Sequence, residues 1–197
     1  RDCLLSRGLG DVYKRQVDEG KTLTEMGVAD ILLKHRSKGD LYFDLSFESI
    51  CGFGPNGAIV HYTATPESDS TISKGNLLLI DSGANYLDGT TDITRTIAIG
   101  EPSADMRHDF TLVMKGHIAI ATSIYPEGTR GAQLDALARM PLWKEGKSYL
   151  HGTGHGVGFV LGVHEGPERV HEPHSADESG EDARGAGERA PLSLIHI

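Results

Sequence analysis

The stretch Leu77–Thr96, LLLIDSGANYLDGTTDITRT, decides how this chain is read. Leu77 to Asp81 is an apolar run that ends on an acid, and Asp92 to Ile99 alternates in the manner of a second strand. Asp88-Gly89 between them is a hairpin signal, because that dipeptide accepts the positive φ values of a tight turn. In a hairpin closed by an even-numbered loop, cross-strand partners have residue numbers that sum to an odd value. Asp81 and Asp92 then fall on the same face. The turn decides whether they stand diagonally or further apart. A diagonal pair would have backbones about 7–8 Å apart, near enough for both carboxylates to reach one ion or an ion pair. Like charges on one face repel, so the arrangement asks for a metal.

Composition narrows the setting. The 197 residues suffice for one domain with a sizeable core. A net charge of −9 argues against nucleic acid or an anionic membrane surface as a partner. Two cysteines, Cys3 and Cys51, suggest no disulfide framework and fit a reducing, cytoplasmic compartment. No apolar run approaches the roughly 20 residues of a membrane span, and no secretory signal is seen. The chain opens on Arg rather than Met, which reads as a fragment or a processed product. Residues 1–16 show no clean period and read as an unrelated leader. Residues 171–197 are acidic and poor in large apolar side chains, so they read as a disordered or out-of-frame tail.

Between these ends, Thr22 and Glu25 suggest a capping box opening a helix through about His35. Leu41 to Phe53 reads as a strand leading into a loop, and Gly52 to Gly57 as a turn-rich loop. Ile59 to Tyr62 reads as a short strand carrying His61. Ser103 looks like an N-cap for a helix with Met106, Phe110, Val113, Met114, His117, Ala121 and Ile124 at helical spacing. That helix should cover the sheet, with its methionines as core filler. A second helix over Leu134, Leu137 and Ala138 should stop near Pro141. Leu150 to Glu165 then sets His151, His155 and His164 among five glycines. His151 and His155 at i, i+4 could be a helical zinc pair. Each glycine costs a helix about 1 kcal/mol relative to Ala, so an extended or looped backbone passing close to a substrate is the better reading.

Two carboxylates with imidazoles make a mixed oxygen and nitrogen donor set. Carboxylates favour Mn, Mg or Ca, whereas imidazole favours Zn, Fe, Co or Mn. Such a set suits a metal-acidified water that attacks a carbonyl, with one carboxylate bridging if two metals are present. The chemistry suggested by these residues is that of a metallohydrolase.

Four blocks carry a more specific signal. GPNGAIVHY (54–62), LIDSGANYLDGTTDITRT (79–96), VMKGHIAIA (113–121) and YLHGTGHGVGFVLGVHEGP (149–167) resemble, in order, the Xaa-Pro aminopeptidase (aminopeptidase P) family of pita-bread metallopeptidases. The resemblance covers roughly residues 20–170 and implies a partial catalytic domain over 17–170. It implies an α+β fold, a curved antiparallel sheet with outer helices, incomplete at both ends. It also implies two divalent metal ions, most often Mn in this branch, and removal of an N-terminal residue when proline follows it. By the same resemblance Asp81 is a terminal ligand, Asp92 the bridging carboxylate and His155 the imidazole ligand. His61 and His151 line the substrate side, and His164 assists proton transfer. The full-length protein would be a homodimer candidate.

The family's two glutamate ligands, in Glu-Pro-Gly-Tyr and Arg-x-Glu contexts, have no counterpart here. Glu165, Glu168, Glu172 and Glu178 stand in other contexts. The chain as written is therefore expected to be inactive. Two other readings stay open: a prolidase-like dipeptidase, and a non-catalytic pita-bread binding protein, against which the presence of Asp81, Asp92 and His155 speaks.

Overall fold

The computed structural model describes residues 17–159 and 162–170. The expected leader at 1–16 and tail at 171–197 lie outside the described residues. The chain divides into two compact units, with the boundary after Ala104.

In the first unit, helix α1 (Glu25–Arg36) is capped by Thr24, whose hydroxyl accepts from Gly27 N at 3.2 Å. This corrects the expected Thr22–Glu25 box. Ile72 N donates to Leu23 O at 2.8 Å, and Thr24 bridges Thr71. Those extended contacts hold residues 23–24 out of helical geometry. The single strand expected over 41–53 is two strands, β1 (Tyr42–Leu45) and β2 (Ile50–Phe53), in different sheets. Strand β3 (Asn76–Ser82) runs antiparallel between β2 and β6 (Ile93–Ile99). Strands β4 (Ala84–Tyr86) and β5 (Gly89–Thr90) form a tight hairpin about Leu87-Asp88 and join β1 in the second sheet. The expected hairpin is thus built in two tiers, the long strands in one sheet and the tip in another.

Strand β3 shows why this matters. Leu78 and Ile80 point into a core shared with Val28 and Leu32 of α1, Phe53 and Ile99. Burying each such side chain contributes about 1.5–3 kcal/mol. By the two-residue period, Asp81 falls on the opposite face. Cys51 is buried in the same core, and burial, followed by the charges of Glu25 and Asp81, pushes its thiol up. It is a packing residue rather than a nucleophile.

The strand expected over Ile59–Tyr62 is absent. Gly54–Ala58 is a 3-10 turn, and Ile59 N then donates to Asn56 O at 3.1 Å and Tyr62 N to Ile59 O at 3.2 Å. These successive turns leave His61 with a left-handed backbone, φ +54°.

In the second unit, helix α2 (Ala104–Ala121) buries Leu112, Gly116 and Ile120. Phe110, Met114 and Ile118 are exposed. The expected apolar stripe is therefore rotated, and Met114 is not core filler. The reason is Gly116: a Cβ there would run into the backbone carbonyl of Ala138. The buried face follows the closest approach to helix α3 (Gly131–Trp143), where Ile120 packs with Leu134 and Ala138. Helix α3 also runs past Pro141, because its last turn closes through Lys144 N donating to Met140 O at 3.2 Å. Beyond it, β7 (Gly154–Val157) pairs antiparallel with β8 (His164–Val170).

Gly116→Ala is expected to lower stability by about 1–3 kcal/mol, since the obstructing atom is backbone and cannot rotate away. The urea midpoint measures this. Exposed Lys115→Ala on the same helix should leave it nearly unchanged.

Candidate metal centre

Asp81 pairs in register with Thr94, and Ser82 with Ile93. One further step places Asp92 level with Gly83, diagonal to Asp81 on the same face. Both carboxylates are buried. Burial raises the pKa of Asp92 to about 8, helped by the charge of Asp81 and by a hydrogen bond between the two acids. Asp81 is also raised by burial, while the neighbouring polar groups of Thr94 and Asp92 and the charges of His61 and Arg36 oppose the rise. Both carboxyls are thus held toward their protonated forms, as expected for two buried acids on one face.

A stability prediction follows from the sign of the shift. A carboxyl whose folded pKa lies above its unfolded value, about 3.9, binds more protons folded than unfolded. Its contribution is fully present below about pH 4 and is lost as pH rises through about 8. Metal-free chain should therefore show a urea midpoint that falls between pH 5 and pH 8.5. A rising midpoint would contradict the raised pKa of Asp92.

Arg36 sets the frame of the pair from the last turn of α1. Its Nη2 donates to Ser82 O at 3.1 Å and Ser82 Oγ at 3.0 Å, and its Nη1 to Thr91 Oγ1 at 3.3 Å. Ser82 and Thr91 each adjoin one carboxylate, so one guanidinium staples both arms. Gly83 allows the pinch, because a Cβ there would strike Thr91 O and Ser46 Oγ.

The turn carrying His61 is held by Glu25, fully buried at the start of α1. Its carboxylate accepts from Phe53 N at 2.6 Å, Tyr62 OH at 2.8 Å, Asn56 Nδ2 at 3.0 Å and Ser70 N at 3.0 Å. His61 itself is exposed, within electrostatic reach of Asp81.

The second unit holds the other three candidate histidines, His151, His155 and His164. His155 is buried on β7, and its ring meets that of His164 edge to face at 4.1 Å. His151 is stacked on Tyr149 at 4.8 Å. His151 and His155 lie on extended and looped backbone, which excludes the helical zinc pair. His155 Nδ1 lies 2.7 Å from Gly156 O, and His151 Nδ1 lies 2.8 Å from Gly152 O. A carbonyl only accepts, so in each of these contacts the ring carries a proton on Nδ1. Asp135 and Arg139 of α3 brace this loop; with Glu25 and Arg36 they are the residues the motifs did not reveal.

The donor chemistry fits a divalent cation. Two buried acids whose charges repel are the arrangement a cation would relieve, and an imidazole with Nδ1 on a carbonyl has the tautomer a ligand needs. Among the described residues, no group of three or more His, Cys, Asp or Glu side chains forms a ready-made site.

The model of metallopeptidase family M24 matches residues 5–185. The chain belongs to metallopeptidase family M24. Aminopeptidase P2 of Arabidopsis thaliana is 53% identical over 157 residues, 80% of this chain and 22% of the relative. A probable Xaa-Pro aminopeptidase P of Aspergillus niger is 54% identical over 151 residues, 77% of this chain and 25% of the relative. This M24 chain thus spans about a quarter of the length of these curated relatives. The crystal structure of the Caenorhabditis elegans X-prolyl aminopeptidase, described as a cytosolic enzyme with a di-nuclear active site, matches with TM-score 0.83 and 38% identity. It covers 90% of this chain and 28% of that one. A prolidase from Pyrococcus furiosus matches with TM-score 0.67 and 28% identity, covering 88% of this chain and 49% of that one. The fold is the α+β pita-bread fold, of which this M24 chain carries a part. No helix of the described residues is long and apolar enough to cross a membrane.

Proposed function

We propose that this segment belongs to a metal-dependent aminopeptidase that releases the N-terminal residue of peptides with proline in second position. The observation that carries this is the buried Asp81–Asp92 pair, diagonal on one sheet face, in a chain of family M24. Asp81 and Asp92 would serve as carboxylate ligands and His155 as an imidazole ligand through Nε2. Two divalent ions, Mn in this reading, would polarise the scissile carbonyl and make a nucleophile available near neutral pH.

The residues around them have their own tasks. Asp92 would give up its proton to bind a cation. Arg36 keeps the two strand arms, and so both carboxylates, at fixed separation. His61, exposed on its turn, is suited to contact a peptide, and His151 is assigned to the same side by the resemblance. His164, against His155, is suited to proton transfer. The description of the C. elegans relative supports a cytosolic setting, and peptides rather than nucleic acid or membrane fit the net charge of −9. A homodimer belongs to the full-length protein in this reading.

The two glutamate ligands that the resemblance implies have no counterpart in this chain, so the chain alone should be inactive even with Mn. The full-length protein, supplied with Mn, should release the first residue of Xaa-Pro tripeptides. Cleavage of dipeptides only would favour the prolidase-like reading, and cleavage of neither would overturn both.

A further inference from the structure

The loop that presents His151 and His155 contains Gly152 and Gly154, and such a backbone does not hold one shape unaided. Its shape comes from α3. Arg139 Nε donates to Asp135 Oδ2 at 2.6 Å, Nη1 to Tyr149 O at 2.5 Å and Nη2 to His151 O at 2.9 Å. The guanidinium also lies 4.1 Å from the centroid of the Tyr149 ring, on which His151 stacks. Tyr149 OH and Thr153 Oγ1 are 2.6 Å apart, and Thr153 Oγ1 donates to Asp135 Oδ1, which closes the circuit. Asp135 and Thr153 are fully buried, and Arg139 nearly so.

An i, i+4 ion pair on a helix would by itself be an ordinary stabilising contact. Here only Nε serves the ion pair, and both Nη atoms are spent on the loop. Three donors fixed in one plane are a property of arginine that lysine lacks.

We infer that Arg139 is a positioning residue: braced by Asp135, it fixes the backbone at Tyr149 and His151, and with it the direction in which imidazole Nε2 leaves the loop. The consequence for catalysis rests on the reading of His151 and His155 as site residues; the test does not.

The test is ring 15N spectroscopy of the histidines in the full chain, metal-free at about pH 8.5, two units above the ordinary imidazole pKa. His151 should show a proton on Nδ1. In Arg139→Lys, which keeps a cation beside Asp135, that signature should shift toward the Nε2–H form that free imidazole prefers. His108 and His117 of α2 should not move. If Arg139 merely balances the charge of Asp135, Lys serves as well and His151 is unchanged, which overturns the proposal. Should the variant not fold, the parent chain decides. Its Arg139 Nη protons should be separately resolved, and one averaged, rapidly exchanging signal would overturn the brace. A lost signature in Arg139→Lys beside absent Mn binding by the full-length protein would sink the metal reading and leave the positioning role standing.

Discussion

Glu25→Ala is expected to cost the chain about 3–5 kcal/mol, a large part of the 5–15 kcal/mol that holds a typical domain folded. The carboxylate collects donors from four separate places, Phe53 N, Asn56 Nδ2, Tyr62 OH and Ser70 N. Alanine would leave them without their acceptor, and each unsatisfied donor costs about 1–3 kcal/mol. Glu25→Gln should cost less, because one oxygen still accepts while the new NH2 group confronts donors. Urea denaturation of the three proteins measures the order. A loss below about 1 kcal/mol for Ala would mean that the clamp does not organise this unit.

Asp92→Asn is expected to move stability and metal affinity in opposite directions. At pH 8.5 without metal, the amide ends the repulsion between two buried carboxylates, so the urea midpoint should rise and its fall with pH should flatten. Binding of Mn by the full-length protein should weaken on the order of 100-fold or more, beyond the loss seen when only a supporting residue is changed. Near pH 7 the parent should release about one proton as Mn binds, and the variant none from this pair. Calorimetry in buffers of different ionisation enthalpy reads both quantities. Unchanged affinity would remove Asp92 from the site. A site residue that costs stability is the trade expected where a fold holds like charges together for chemistry.

The sequence was informative where the physics is local or follows a period. That Asp81 and Asp92 share a face follows from parity alone, so it survives the finding that the hairpin belongs to two sheets. Their diagonal placement was not legible, because it depends on the pinch at Gly83 against Thr91. Glu25 was misread for a similar reason. Three residues after Thr22, it has the local form of a capping residue, but its partners lie 28 to 45 residues further along the chain. His61 looked like a strand residue because Ile59 and Val60 favour strands. The consecutive turns starting at Asn56 override that preference. On α2, apolar spacing named the wrong face, since a glycine contributes nothing to such a pattern yet decides which side can approach Ala138. Asp135 and Arg139 were visible as a helical i, i+4 pair, but nothing in that spacing pointed to the loop ten residues on. The glycine-rich histidine block, by contrast, announced its extended backbone through helix propensity alone.

The left-handed backbone at His61 also limits how this position can evolve. Besides glycine, the residues that accept such a φ with little strain are Asn and Asp. Both are reached from a histidine codon by a single base change, whereas glycine needs more than one. A lineage released from selection on the proposed site could therefore shed the imidazole at this turn at once and keep the fold. Drift should leave its first mark here as Asn or Asp, while the histidines of the glycine loop, whose backbone makes no such demand, should scatter more widely.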